Sequence, residues 1–338
     1  MGPGLIERWT AGGDWLDVLD GASTAEARQL VRHRAAEAGL TSVQAEALAT
    51  ATSELVTNQL RHARQGRLAV RPVRRAGVSG VEVIAADRGA GIPDPVAALA
   101  GRSAPSGSLG AGLGGARRLT QEMDLDVRVG EGTCVRVRTF ATSVPRSVVA
   151  IYGRPFPGEL SSGDDAVFVR GDETLLLAVA DGLGHGREAR AASAAAIDAV
   201  AAAPTLALPE LVQRCAAAVE GTRGVVLALV RLHLVTRQLE RVGVGDVRTL
   251  LLAPGRLESF PGSPGLLSGR QGERPRAARQ TADQLSPHGA LLLFTDGLRS
   301  AAAPAPGPAG EPMALAHDLA VRFGRDTDDL LVLAARSG

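Results

Sequence analysis

The chain has 338 residues, about twice the length of an ordinary domain, so two domains are the starting expectation. With 45% hydrophobic residues, 22% charged residues, 3% aromatics and a net charge of +1, it has the material for two cores. That balance argues against a disordered chain and against a nucleic-acid binder, which needs a basic surface. No lysine occurs, so all 37 basic residues are arginine; a Gly-Lys-Ser/Thr phosphate loop, a Schiff-base lysine and the strand lysine of eukaryotic-type protein kinases are excluded.

Ser23-Thr24-Ala25-Glu26 has the spacing of a capping box, and the predicted helix runs through Leu30, Val31 and Ala35 to a stop at Gly39. Thr41-Ser42-Val43-Gln44 repeats the signal and opens a longer helix towards Ala63. The period then changes: Leu68–Val70 and Val81–Ala85 read as strands joined by a Gly-containing turn. Residues 89–115, rich in Gly and Pro, lack periodicity and have the length of a lid or binding loop. A short helix over Ala116–Glu122 and strands over Leu125–Val129 and Thr133–Phe140 follow, and Ala141–Arg146, with Pro145, is the expected boundary.

Strands are predicted next at Val148–Tyr152, Ala166–Arg170 and Leu175–Ala180, then helices at Glu188–Ala203 and Leu208–Glu220. Five more strands are expected, at Val225–Val235, Gln238–Val242, Arg248–Leu252, Ala290–Phe294 and Leu330–Ala334. Between them, Pro254–Pro287 reads as loop-rich and Ala301–Pro312 as an Ala/Pro/Gly insert. The two halves use different element orders, which predicts two unlike domains. Cys134 and Cys215 stand far apart with no ligand-spaced partner, excluding a disulfide framework or cysteine-rich zinc site, and Cys215 reads as a buried thiol. Apolar runs fall short of the roughly 20 residues that span a bilayer. A cytoplasmic, soluble protein that binds neither membrane nor nucleic acid is expected.

Four features of the first half fall in a chemically suggestive order. Glu54 and Asn58 lie four apart on one helix face, a carboxylate for base work beside an oxygen donor for Mg²⁺. Asp87-Arg88-Gly89-Ala90-Gly91 ends a strand, where Asp87 can accept from a base amino group and the glycines admit a ligand to the backbone. Gly110-Ala111-Gly112-Leu113-Gly114-Gly115 opens a helix whose N–H groups make a phosphate site without lysine. Gly132-Thr133 begins the last strand.

On these residues, 15–140 resembles the GHKL ATPase superfamily, with an N-box in Glu54–Asn58, a first G-box in Asp87–Gly91 and a second in Gly110–Gly114. Within it, the phrases Ser53-Glu54-Leu55, Gly89–Asp94 and Gly110–Arg118 are most similar to the anti-sigma-factor and switch serine/threonine kinases of the RsbT and RsbW kind. The resemblance implies a Bergerat α/β sandwich with a lid over ATP and Mg²⁺. It implies further that Asp87 reads adenine, with Gly89, Gly91, Gly110, Gly112, Leu113, Gly114 and Thr133 around the nucleotide. Asn58 would hold Mg²⁺ and Glu54 would activate the protein hydroxyl, with Arg61, Arg117 and Arg118 as candidate phosphate contacts. No helical hairpin with a phospho-accepting histidine precedes this region; His33 and His62 read as helix-surface residues.

The second half places aspartates at strand ends: Asp164-Asp165, Asp181 in Asp-Gly-Leu-Gly-His-Gly, Asp296 in Phe-Thr-Asp-Gly, and Asp328 in Asp-Thr-Asp-Asp. Carboxylates that converge repel unless a cation sits among them, and oxygen donors alone select Mg²⁺ or Mn²⁺ over zinc. Residues 147–338 resemble the metal-dependent type-2C protein phosphatases of the SpoIIE/RsbX branch, Asp181–Gly186 being the most telling phrase. That resemblance implies an α-β-β-α sandwich with two metals held by Asp164 or Asp165, by Asp181 with the Gly182 carbonyl, and by Asp296 and Asp328. His185 is a candidate to protonate the departing serine oxygen. Two positions depart from the family pattern: Leu331 stands where threonine is usual, and Asp246 where a turn carries asparagine.

The overall expectation is an α+β protein of two domains, 15–140 and 147–338, joined by 141–146. It would be a switch kinase fused to its opposing phosphatase, acting on STAS-domain anti-anti-sigma or stressosome proteins. The alternative is a first domain that binds ATP and sequesters a sigma factor or phosphatase activator, or senses nucleotide for the phosphatase, without transferring phosphate.

Overall fold

The computed structural model describes residues 5–10, 15–102, 112–267, 280–299 and 310–337. The chain divides into two compact units, Pro3–Val148 and Val149–Gly338.

The first unit runs α1 (Leu5–Trp9), β1 (Trp15–Val18), α2 (Ala22–Glu37), α3 (Ser42–His62), β2 (Ala63–Arg75), β3 (Val78–Gly89), α4 (Pro95–Leu99), α5 (Leu113–Leu119), β4 (Glu122–Arg128) and β5 (Gly132–Phe140). Its strands pair antiparallel in the order β1-β2-β3-β5-β4. α2 and α3 lie on one face, burying Ala27, Val31 and Ala35 and then Leu48, Leu55 and Val56, positions at helical spacing. On the opposite face, Ile6 and Trp9 of α1 cluster with Ala69, Ile84, Ala86 and Cys134. The rest of that face is charged. Register sets Arg71 against Glu82, Glu82 against Arg138, and Arg138 against Glu122, an alternating row across four strands. Arg138 is 1% exposed and donates to Glu82 Oε1 at 2.8 Å, to Glu122 Oε2 at 3.1 Å and to Asp124. Burial opposes its charge, but Asp124, Glu82 and Glu122 together hold its pKa above the ordinary arginine range.

The Thr41–Gln44 capping box forms as predicted. The Ser23 box does not. α2 begins two residues earlier, with Gly21 rather than Ser23 at the N-cap position, and Asp20 Oδ1 takes its first N–H groups, from Ala22 at 2.8 Å and Ser23 at 3.4 Å; Ser23 Oγ instead accepts from Leu19 N–H. The predicted helix at 116–122 starts earlier, at Leu113, because the second glycine box leads directly into it, and Glu122 already belongs to β4.

The second unit runs β6 (Ser147–Arg154), β7 (Asp164–Arg170), β8 (Thr174–Gly182), α6 (Gly186–Ala202), α7 (Leu208–Ala218), β9 (Val225–His233), β10 (Gln238–Val244), β11 (Arg248–Ala253), β12 (Arg256–Phe260), β13 (Thr281–Gln284), β14 (Ala290–Phe294), α8 (Pro312–Phe323) and β15 (Leu330–Ser337). Its strands form two sheets, ordered β6-β15-β14-β11-β12 and β13-β10-β9-β8-β7. The core between them joins Val149, Ile151, Leu291, Leu293, Leu331 and Leu333 of one sheet to Phe168, Leu175, Leu177, Val230 and Leu232 of the other. Outside the second sheet, Ala192, Ala196, Ile197, Leu208, Leu211 and Val212 of α6 and α7 pack on Leu176, Ala178, Leu227 and Leu229. On the first sheet's side, α8 lies beside β15 and buries Met313, Ala316 and Leu319. This is the helix-sheet-sheet-helix sandwich expected. Among its described residues, the loop-rich stretch 254–287 holds two edge strands, β12 and β13, which carry too little apolar alternation to be seen in the sequence.

Candidate functional site

In the first unit, the sheet and α3 converge at the end of β3. Gln59, buried on α3, donates through Nε2 to the Arg67 carbonyl at 3.0 Å and the Ala86 carbonyl at 2.9 Å, locking the helix to β2 and β3. This fixes Glu54 and Asn58, both half-buried and one turn apart, on the same element. Asp87 closes β3 as the register partner of Thr133. Its Oδ1 accepts from Gly89 N–H at 2.8 Å. Burial pushes the Asp87 pKa up, opposed by the backbone N–H groups of Gly89 and Thr133. Gly91 has φ +72°, and a Cβ there would lie 2.6 Å from the Arg128 carbonyl, so the first box touches the end of β4 and admits no side chain.

Of the second box, Gly110 lies outside the described residues. Gly112 caps α5 with its N–H donating to Glu54 Oε2 at 2.8 Å, and Leu113 and Gly114 are buried in the first turn. The carboxylate singled out as a base is thus engaged by the glycine box itself.

In the second unit, β7 and β8 pair so that Asp164 faces Asp181. Asp164 is 2% exposed and accepts from Thr295 Oγ1 at 2.7 Å. Burial raises its pKa well above the carboxylate range, and Asp181, Asp329 and Asp296 add to the rise while Thr295 opposes it. Burial also pushes Asp181 up to about 8, reinforced by Asp296, Asp246, Asp328 and Asp329. Asp296 rises by burial and by Asp328 and Asp246, with Arg325 opposing. The structure therefore brings Asp164, Asp181, Asp296 and Asp328 into one electrostatic cluster and adds Asp246 and Asp329 to it. Asp165, the next residue along β7, projects to the other face by strand alternation; it is fully buried, and its Oδ1 accepts from Ala166 N–H at 2.8 Å.

Asp329 uses both oxygens on backbone, Oδ1 with Phe156 N–H at 2.7 Å and Oδ2 with Gly163 N–H at 2.8 Å, and so ties down the loop from 156 to 163. That loop carries Glu159, whose Oε1 lies 3.1 Å from His185 Nδ1, and Phe156, whose ring stacks on the imidazole at 4.9 Å between centroids. Gly182 ends β8 against α6, where a Cβ would lie 2.0 Å from the Ala189 carbonyl. Thr295, Asp329, Glu159 and Phe156 are the participants that sequence reasoning missed. Thr295 was the most visible, a hydroxyl between an apolar strand and an aspartate.

The cluster is all hard oxygen, and its members raise one another's pKa, so its chemistry fits Mg²⁺ or Mn²⁺. Among the described residues, no three acidic, histidine or cysteine side chains stand at ligating geometry. Both cysteines are buried, and burial pushes each thiol up to about 12, so neither is a nucleophile.

The first unit's fold and glycine boxes define a histidine-kinase-like ATPase unit, and the sandwich with its aspartates a type-2C phosphatase unit. A family profile described as histidine kinase-like ATPase domain matches residues 19–139, and one described as stage II sporulation protein E matches 171–336. Over 107 residues the chain is 41% identical to serine/threonine-protein kinase RsbT of Bacillus subtilis (strain 168), covering 32% of this chain and 80% of that protein. Over 141 residues it is 30% identical to phosphoserine phosphatase RsbX of the same organism, covering 42% of this chain and 69% of that protein. A solved structure of RsbX in complex with magnesium superposes with a TM-score of 0.50 at 26% identity, over 58% of this chain and 98% of that one. A structure from work on the bacterial stressosome, a modular system adapted to control secondary messenger signalling, gives 0.53 at 28% identity, over 56% of this chain and 100% of that one. The chain belongs to the RsbT family of kinase-like ATPase domains through its first unit and to the RsbX/SpoIIE phosphatase family through its second. No described helix is long and apolar enough to cross a membrane.

Proposed function

We propose that the chain is a two-way signalling switch, phosphorylating a protein serine or threonine through its first unit and removing phosphate through its second. The aspartate cluster carries the second half of this reading. Asp164, Asp181 with the Gly182 carbonyl, Asp296 and Asp328 would hold two divalent cations, Asp164 rather than Asp165 because only Asp164 shares a face with Asp181. When bound, such ions supply an activated water and neutralise phosphoryl charge. The chain's own contribution is orientation and proton delivery. Thr295 aims the Asp164 carboxylate, Asp329 fixes the loop, and His185, held between Glu159 and Phe156, donates a proton to the departing serine oxygen.

In the first unit, Asp87 would accept the adenine amino group, Asn58 would hold Mg²⁺, and the backbone of the two glycine boxes with Thr133 would cradle the nucleotide. Glu54 would take the proton of the incoming hydroxyl. The partners would be STAS-domain anti-anti-sigma or stressosome proteins, in keeping with the relatives. A second reading, ATP-dependent sequestration of a partner without transfer, draws on the Glu54–Gly112 hydrogen bond, which occupies the base.

The test uses the full chain. A phosphoserine STAS protein should be hydrolysed with Mn²⁺, and EDTA, Asp181→Asn or Asp296→Asn should abolish this; activity that survives EDTA would remove the reading. With radiolabelled ATP, the unphosphorylated STAS protein should be labelled. ATP binding without labelling of any such partner would transfer the first unit to the sequestration reading.

A further inference from the structure

The two chain segments that meet at His185 each present a leucine to solvent. Leu160 is 92% exposed and follows Glu159, whose Oε1 lies 3.1 Å from the imidazole Nδ1. Leu183 is 54% exposed and stands two residues before His185. Single surface leucines are ordinary, but these two sit on backbone that cannot fold them away. Asp329 takes the Phe156 and Gly163 N–H groups at the two ends of the first loop, and Glu159 N–H donates to the Phe156 carbonyl at 3.0 Å. In the second segment, Leu183 N–H donates to the Gly224 carbonyl at 3.1 Å, and the preceding Gly182 has no room for a Cβ. Gly182 N–H also donates to the Gly163 carbonyl at 3.2 Å, which ties the end of the loop to the Leu183 turn. Loop and turn are one fixed piece around His185.

Charged groups beside the leucines are already engaged with one another. Glu159 faces His185, and Arg223, which reaches the Gly184 backbone, pairs with Glu188. The surface next to the imidazole therefore offers apolar contact in place of unbalanced charge. Any serine oxygen that His185 serves brings the rest of its chain with it. Residues one or two places from that serine lie roughly 3.5–7 Å along the chain, within reach of the segments that flank the imidazole.

We propose that Leu160 and Leu183 form a docking surface for the protein substrate, taking apolar side chains that flank its phosphoserine. The inference rests on the phosphatase reading and adds the class of segment the second unit takes, a phosphoserine with apolar neighbours.

The experiment compares the full wild-type chain with Leu160→Ser and Leu183→Ser, each with Mn²⁺. The substrates are p-nitrophenyl phosphate, which has no flanking residues, and two short phosphoserine peptides, one with leucine on both sides of the phosphoserine and one with serine there. Fluorescent forms of the same peptides report binding by anisotropy. Taking a leucine out of water is worth a factor of about 10–100, so the wild type should prefer the leucine peptide by about that much in kcat/KM. Each variant should lose much of this preference while its melting temperature and its turnover of p-nitrophenyl phosphate stay unchanged. A wild type with no preference, or a preference that both variants keep, would overturn the proposal. A fall on p-nitrophenyl phosphate as large as that on the peptide would do so too, because the leucines would then support the site itself. So would variants that only dissociate a wild-type dimer in sedimentation, which would give the surface to a second copy of the chain. If the wild type binds the leucine peptide preferentially, loses that preference in the variants, and yet hydrolyses nothing, the phosphatase reading falls and the docking surface stands.

Discussion

Thr295 Oγ1 donates to Asp164 Oδ2 at 2.7 Å while accepting from Leu331 N–H at 3.1 Å, so one hydroxyl joins the end of β14 to β7 and β15. The usual family threonine is absent at Leu331, yet the Leu331 backbone meets the hydroxyl of Thr295. Thr295→Val removes the donor with little change in volume. Since groups that orient metal ligands typically contribute 10–100-fold in affinity, Mn²⁺ binding should weaken by about that factor, read by calorimetry, with the fold retained.

The cluster also predicts an unusual dependence of stability on pH. Asp181 titrates at about 8 in the folded chain against an ordinary 3.8, so through that window the native state holds a proton the unfolded state has lost. Its contribution is complete below 3.8 and is lost as pH rises through about 8. Without divalent cations, the melting temperature should decline across that range, after the contributions of other groups are matched in an Asp181→Asn control. Mn²⁺ replaces the proton, so the rise in melting temperature it confers should grow with pH over the same window. A Mn²⁺ effect independent of pH would contradict this.

Asp181→Asn should separate stability from activity. It removes a buried charge that four other aspartates oppose, and hence should raise the cation-free melting temperature at pH 8 by a few degrees. Mn²⁺-dependent turnover should be lost in the same variant.

In the first unit, Glu54→Ala should keep ATP binding while slowing partner phosphorylation by about 10²–10⁴. Asp87→Asn should lose most ATP affinity by calorimetry. Its amide would present a donor where the carboxylate accepts from Gly89 and Thr133, and adenine would meet the wrong polarity.

Arg138→Met would remove the guanidinium that Glu82, Glu122 and Asp124 share in a buried row, leaving Arg75 and the Ser147 N–H on Glu122. Breaking a buried pair from one side costs about 3–5 kcal/mol, which urea denaturation of the first unit's transition should register.

Much of this was legible in the chain because its signals are local. Thr41 and Gln44 specify a helix start within four residues, and a carboxylate after an apolar strand marks a sheet edge wherever the strand lies. What could not be read depends on which residues meet across long separations. Asp164 and Asp165 are chemically identical in sequence, and only the pairing of β7 with β8 distinguishes them. Two competent side chains, Asp20 and Ser23, stand within one turn, and the first helical N–H groups go to Asp20 while Ser23 Oγ accepts from Leu19 N–H. The Asp329 clamp joins residues more than 160 apart and leaves no pattern at all. Charges at alternate positions of β4 and β5 look like a solvated face, yet register makes them a buried row.

Gly182 and Gly297 each follow an aspartate of the cluster, and a Cβ would come within 2.0 Å of the Ala189 carbonyl at the first and 1.9 Å of the Asp329 carbonyl at the second. Neighbouring positions should therefore fail in opposite ways inside a cell. Alanine at either glycine forces two backbones apart, enlarges the unfolded fraction and delivers the chain to proteases, so the protein should become scarce. Asparagine at the adjacent Asp181 or Asp296 leaves the backbone alone and relieves repulsion, so the protein should accumulate at least as well as wild type while signalling is lost. A screen that scores only phenotype would merge these two classes, and one that also measures how much protein is present would divide the motif residue by residue.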